Sequence, residues 1–421
     1  MKTGFDAAIV GAGPAGTSAA ILLARAGWSV ALIERQSFPR RKVCGECVAA
    51  SNLDLLDALG IGAGFDALAG AELRRVALMR GGDTIVASLP QGETGSRRWG
   101  RALGRELLDT LLADAAEAAG ATRLQPWSLQ SIGGTAGDFR LQVRAMASAS
   151  AAADGEAATV ELRAGVVIAA HGSWEPLPSE RAERRDSRSP SDLFAFKANF
   201  AQAKIAADLL PVLSFAGGYG GMVVADGGLA TLACCVRADR LQGLRAAEAG
   251  VRAGDVVEAM LRRECAGVSA ALDGASREGA WLSSGPLRPG VRLGRGDGVF
   301  RVGNAAGEAH PIVGEGISMA LQSAFVLAAS IAPLRDQMLD PATAESAQRR
   351  AIAEYEALWR RRFARRLGVA AVFAHVAMRP ALARAAWPLL RRWPGVLTHG
   401  ARFSGKTRCA PEAARLVAAS T

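Results

Sequence analysis

The sequence predicts an α/β chain, α+β overall: an interrupted Rossmann-like domain, a β-rich second domain and a C-terminal helical tail. Three observations predict it. The glycine turn Gly11-Ala12-Gly13-Pro14-Ala15-Gly16 stands between an apolar run and a helix-patterned run. The stretch from Leu193 to about Arg237 alternates in the strand manner between glycine-rich turns. From residue 343 to about residue 400 the pattern is helical.

In the first unit, Phe5 to Val10 reads as a buried parallel strand, Ala15 to Ala26 as a helix ended by Gly27, and Ser29 to Glu34 as a second strand. This is a βαβ unit with the spacing of an adenine-dinucleotide site. Gly11 permits the tight turn, Gly13 lets backbone approach a pyrophosphate, and Gly16 lets the helix pack on the sheet. Pro14 and Ala15 open the helix, whose free N–H groups favour phosphate. Glu34 ends the second strand where a ribose diol is expected, and Arg35 follows it.

Further on, Arg105 to Ala119 is a patterned helix and Val166 to Ala170 a buried strand. Residues 145–155 read as a hairpin tip or loose loop, and 177–192 as an exposed linker. Val299 to Gly303 is again a buried strand, and a helix runs from about Gly316 to Ala332. The first domain is therefore expected to comprise 1–75, 100–175 and 285–335. The β-rich domain takes 76–99 and 176–284, and the tail 336–421.

A length of 421 residues is too great for one ordinary core, and 50% hydrophobic with 21% charged residues excludes a disordered chain. The net charge of +10 rests on arginine, since only five lysines occur. Its simplest reading is an arginine-rich surface, and its functional one attraction to an anionic substrate, a carrier or a membrane surface; no nucleic-acid motif accompanies it, so nucleic acid is not expected. Six cysteines in a chain this long do not form a disulfide scaffold, and the location expected is cytoplasmic. Cys44 and Cys47 form a C-x-x-C, but no second pair completes a zinc site and no metal is expected. No run is expected to be long and apolar enough to span a membrane.

Three later segments resemble those of the flavoprotein superfamily that includes p-hydroxybenzoate hydroxylase, the geranylgeranyl reductases and the flavin-dependent halogenases. The first is the helix that Arg105 opens; in the family its Arg meets the FAD pyrophosphate. The second, Val166-Val-Ile-Ala-Ala-His171-Gly172-Ser173, resembles the family's strand-plus-turn, with His171 for the usual Asp. The third, Gly303-Asn304-Ala305-Ala306-Gly307, resembles the ribityl-binding turn, with Asn304 for Asp; an Asn can still donate and accept hydrogen bonds. Pro311-Ile-Val-Gly314-Glu315-Gly316-Ile317 is most like the geranylgeranyl reductase branch, and there Gly314, Gly316 and Ile317 lie against the isoalloxazine.

The resemblance implies FAD as cofactor, NAD(P)H as transient reductant and a discontinuous FAD-binding domain. It places Cys44 and Gly45, in Lys42-Val43-Cys44-Gly45-Glu46-Cys47, beside the flavin. Cys44, Glu46 and His310 are the catalytic candidates, with Glu46 as acid/base or orienting group and His310 as proton donor. Phe215, Tyr219 and Lys197 are the candidate pocket residues. The expected activity is that of a reductase or dehydrogenase, passing a hydride to a small apolar polyene-, isoprenoid- or polyketide-like substrate. The alternatives are a monooxygenase using NAD(P)H and O2, and a flavin-binding scaffold without catalysis.

In the tail, Trp359, Phe363 and Leu367 recur at helical spacing, with Arg360, Arg361, Arg362, Arg365 and Arg366 on the other face. The pattern fits a helix packed on the catalytic domains. The arginine-rich region is also the place for peripheral contact with a membrane or a carrier protein.

Overall fold

The apolar run GFDAAIV forms β1 (Gly4–Val10), and Pro14 at the first helical position opens α1 (Pro14–Arg25). A computed structural model describes residues 2–93, 97–146, 158–173, 175–180, 189–403, 405–413 and 415 of the chain. After α1 come β2 (Val30–Ile33), β3 (Arg75–Arg80), β4 (Asp83–Ser88) and α2 (Arg105–Ala118). Then follow β5 (Thr122–Leu124), β6 (Trp127–Thr135), β7 (Asp138–Ala145) and β8 (Thr159–Ala169). The first sheet runs β5-β2-β1-β8-β7-β6. Its β5, β2, β1 and β8 are parallel, while β7 and β6 form an antiparallel flap. The parallel strands are buried on both faces, as their near-continuous apolar sequences require.

The second sheet is built from β9 (Leu193–Ala201), β10 (Leu209–Phe215), β11 (Gly218–Val224) and β12 (Ala230–Arg237). Past helix α3 (Ala253–Glu264), β13 (Ser276–Leu287) completes the order β13-β9-β12-β11-β10-β3-β4. All its pairs are antiparallel except β10 with β3. Strand periodicity sorts its side chains. Phe196, Phe200 and Phe215 pack with Val257, Met260 and Leu261 of α3. Leu193, Ala195, Tyr219 and Cys235 form the other face, against Val43 and Ile312 of the first domain.

The chain then returns to the first sheet as β14 (Phe300–Arg301), paired with β8, and enters α4 (Gly316–Ile331). The segment Gly316–Leu339 is long and apolar enough to cross a membrane by composition, contrary to expectation. It is a core helix instead: 72% of its most apolar window is buried in the protein. The tail supplies α5 (Ala344–Met378), α6 (Pro380–Arg392) and α7 (Gly395–Phe403). Trp359, Phe363 and Leu367 of α5 are buried in the core that also holds Leu321, Phe325 and Val326 of α4. The Tyr355 hydroxyl donates to the Arg301 carbonyl at 2.8 Å. At Arg379 the helix axis turns by 104° into α6. Residues 405–413 come back to the first domain. Ser51 Oγ donates to the Gly405 carbonyl at 2.9 Å, Glu93 N to that of Thr407 at 3.0 Å, and Ala410 N to Gln322 Oε1 at 3.1 Å.

Pro388 lies inside α6 without ending it. One local reading changes. In the stretch read as a linker, Glu180 is buried and bonded to Arg301 at 2.9 Å. Residues 181–188 of that stretch, and most of 145–155, lie outside the described residues.

The Trp359 ring is fully buried between α4 and the Gly307 turn. Trp359→Ala is expected to lower the unfolding free energy by about 3–5 kcal/mol, read from urea denaturation.

Candidate active site

The glycine turn is as tight as its sequence demands. A Cβ on Gly11 would stand 2.6 Å from the Ala170 carbonyl oxygen, and one on Gly16 would stand 1.9 Å from that of Gly11. Helix α1 has no side-chain cap and no acid in its first turn, so its N-terminal field is open to an anion. Glu34 is buried, and its carboxylate accepts the N–H groups of Ala12 at 3.0 Å and Gln36 at 2.9 Å. Arg105 is bidentate to the buried Asp109 at 2.6 and 2.8 Å. Its Nη2 lies 3.7 Å from the position a Gly13 Cβ would take.

Two further cations complete this cluster. Arg40 is buried beside Glu34 and Asp109, yet its Nε and Nη1 have no hydrogen-bond partner among the described residues. Lys42 is pulled down to about 8 by burial, then by Arg40 and Arg105. A buried guanidinium with idle donors, at the open end of a helix, calls for an anion. The site therefore fits the pyrophosphate of a dinucleotide. Next to it is a cavity of about 670 Å³ lined by Gly11, Glu34, Arg35, Lys42, Trp127 and His171. It lies at the carboxyl ends of β1 and β2, where open parallel sheets take nucleotides. Arg35 points across to Glu175 at 2.9 Å. The buried His171 stands 3.6 Å from Glu180.

The Gly303–Gly307 turn closes the cradle from the other side. A Gly303 Cβ would lie 2.8 Å from that of Ala15, and Gly303 N donates to Ser323 Oγ at 2.9 Å. The Asn304 amide donates to Ser173 Oγ at 2.8 Å, and Ser173 to Glu308 at 2.6 Å, which Arg292 neutralises at 2.6 Å. Gly314, in the left-handed region at φ +66°, turns the chain into α4, and Gly316 and Ile317 form that helix's first turn. Between them Glu315 is completely buried, with neither carboxylate oxygen hydrogen-bonded among the described residues. Burial raises its pKa, while Lys406 and Arg366 oppose the rise.

The 42–47 loop meets the second sheet. Glu46 takes a left-handed φ of +59°, rare for a non-glycine residue, and is buried. Its Oε1 accepts Arg105 N at 3.1 Å and the Lys197 ammonium; its Oε2 accepts the Thr231 hydroxyl. Both oxygens are engaged, so of the two roles expected for Glu46 the geometry supports orienting, not proton transfer. Lys197 is equally buried and is the cation that permits this carboxylate inside the protein. Cys44 Sγ accepts the Glu46 N–H at 3.3 Å, and Gly45 lies between them in the loop. Cys44 and Cys47 are free thiols, and burial pushes Cys47 up to about 12. A thiol so hard to ionise is a poor partner in disulfide exchange.

On the same sheet face, the Tyr219 hydroxyl lies 3.2 Å from His310 Nδ1. Burial lowers the His310 pKa, so the imidazole is neutral at pH 7. Phe215 is not with them. It follows Ser214, which pairs with Tyr219, so it points to the opposite face, into the α3 core. This corrects its expected place in the pocket wall. The structure thus gathers Glu46, Lys197, Tyr219, His310 and Cys44 at the junction of the two sheets. Sequence reasoning missed Arg40 and Thr231, which belong to no recognised pattern, and missed the complete burial of Glu315 inside a recognised one.

Two outcomes follow from this geometry. Lys197→Met strands the Glu46 carboxylate and should cost about 3–5 kcal/mol in urea denaturation, part of which Glu46→Gln restores in the double variant. Lys42 loses its charge as pH rises through about 8, so titration of the apo-protein with FAD should show affinity falling there. The fall is expected to be about tenfold, and Lys42→Met should flatten it.

The comparisons agree with this architecture. The flavin-dependent brominase Bmp2 superposes with a TM-score of 0.73 over 99% of this chain and 98% of its own, at 16% identity. PqsL of Pseudomonas aeruginosa, described as a probable FAD-dependent monooxygenase, gives 0.64 over 96% and 99%, at 21% identity. At these identities the likeness is one of fold. Menaquinone reductase of Mycolicibacterium smegmatis is 41% identical over 66 residues, 16% of either chain. The curated relatives are matched over only 11–16% of their own length. The profile of the family described as an FAD binding domain matches residues 4–357, and the chain belongs to that family of FAD-dependent enzymes.

Proposed function

We propose that the chain is an FAD-dependent monooxygenase for a small apolar substrate, with NAD(P)H as reductant. One observation carries this reading over the reductase expected from sequence. The likeness to a flavin-dependent brominase and a probable monooxygenase extends over 96–99% of the chain, whereas the likeness to a reductase is confined to 66 residues.

When bound, FAD supplies the electron transfer to oxygen. The chain's own residues supply the rest. Arg40, Lys42 and Arg105 hold the pyrophosphate, and Glu34 the ribose. The Glu46–Lys197–Thr231 cluster fixes the loop carrying Cys44 against the second sheet and keeps that junction dry. His310, neutral and oriented by Tyr219, is placed to accept or return a substrate proton. It borders a cavity of about 350 Å³ whose apolar wall includes Leu193, Leu287 and Met378. We read that cavity as the substrate's way in.

A second reading, the reductase, is favoured by the Gly314-Glu315-Gly316-Ile317 segment and the match to menaquinone reductase. Incubating the holoenzyme with NAD(P)H, isotopically labelled dioxygen and a panel of apolar phenols and polyenes separates the two. Labelled oxygen in the product is the expected result. A product richer by two hydrogens, formed without air and without label, overturns it.

A further inference from the structure

The chain's positive charge is not spread over its surface. Between Ala357 and Pro411 there are eleven arginines and Lys406, and no Asp or Glu. Of the 50 Lys and Arg residues, the other 38 face 40 acids, so this one segment carries the whole positive excess.

The same region carries most of the exposed apolar bulk. Eleven large hydrophobic side chains are markedly exposed among the described residues, and seven of them fall between Val372 and Phe403. On α6 they follow helical geometry. Leu382 and Leu389 share one face, seven residues apart, at 41% and 49% exposure, and Trp393, the cap residue just past the helix, is 56% exposed. Ala383 and Trp387 form the buried side of that helix. Arg392 lies beside this stripe, three residues after Leu389, while Arg384 and Arg391 are exposed nearer the buried side of the helix; none of the three is ion-paired among the described residues. Helix α7 packs on α5: a Gly400 Cβ would sit 2.9 Å from the Phe373 ring, and the Arg365 guanidinium stands 5.5 Å from the centre of the Phe403 ring. A packed core helix would cover this stripe, and a merely solvated one would carry polar residues in its place.

We propose that the surface formed by the end of α5 with α6 and α7 docks on an anionic lipid bilayer. Leu382, Leu389 and Trp393 enter the headgroup boundary, and the exposed arginines around them meet lipid phosphates. The region lies on the membrane without crossing it: the 104° turn at Arg379 and the buried Tyr355, Trp359 and Phe363 fix α5 inside the protein. Charge complementarity decides the occupant. An uncharged apolar partner or a second copy of this face would leave the arginines unpaired or opposed to one another. The 350 Å³ cavity opens at this joint, with His375, Met378 and Arg379 at its edge. An apolar substrate dissolved in the bilayer would reach His310 by that path, and this last point rests on the function proposed above.

Sedimentation of the purified full chain with vesicles of phosphatidylcholine, alone or mixed with phosphatidylglycerol, tests the proposal. The expected result is binding to the mixed vesicles only, weakened by salt. Binding should weaken about fivefold for each charge removed in Arg391→Gln and Arg392→Gln. Leu389→Glu with Trp393→Glu should abolish it while far-UV circular dichroism is unchanged. Three results overturn the proposal: no binding to the mixed vesicles at low salt, equal binding to both lipids, or binding that survives the double glutamate variant. A dimer in gel filtration that only the glutamate variant dissociates also overturns it, assigning the face to a second copy. The assay reads no flavin and no turnover, so its outcome is independent of the reaction assigned to the site.

Discussion

A single buried carboxylate ties the two sheets together. Glu46 reaches from the first domain's loop to Lys197 and Thr231 of the second sheet, and back to the first residue of α2. Burying an ion pair carries a desolvation cost that its Coulombic gain only partly offsets. What the arrangement supplies is position. A carboxylate with three donors has one orientation, and the backbone at φ +59° is held to it. Cys44, two residues earlier, inherits that fixity through its bond from the Glu46 N–H.

The nucleotide cradle follows a different logic. It concentrates Arg40, Lys42 and Arg105 against only two buried acids, Glu34 and Asp109, and leaves donors of Arg40 idle. The excess cation and the open helix end make the protein alone the less satisfied state. The depressed Lys42 reflects that tension, because burial first and then the cations beside it disfavour one more charge. A polyanionic ligand relieves it.

Much of this was legible in the sequence, and for identifiable reasons. The glycine turn, Glu34 and the helix after Arg105 are local patterns with backbone causes, and they fold where their spacing places them. The buried faces of α5 follow from Trp359, Phe363 and Leu367 in the same way. What was illegible depends on distant parts meeting. No spacing relates Glu46 to Lys197, 151 residues away, or to Thr231, 185 away. Phe215 and Tyr219 look alike as aromatic neighbours of a glycine loop, and only strand register sends them to opposite faces. Arg40 sits among other arginines in sequence and becomes distinctive only through its burial. Helix α3 carries its signal in Val256, Val257, Met260 and Leu261, but nothing local says which sheet it will cover.

The return of residues 405–413 has a consequence for synthesis. Asn52 accepts from Gln322 at 2.9 Å, Gln322 accepts from Ala410 N, and the Ser51 hydroxyl donates to Gly405. The loop at Ser51 and Asn52 is therefore enclosed by chain made some 350 residues later. Contacts of such separation form only after the intervening segments have folded. On the ribosome the Ser51–Asn52 loop has to wait for chain some 350 residues further on before these hydrogen bonds are complete. Its completion coincides with the arrival of the segment that also carries Lys406 toward Glu315.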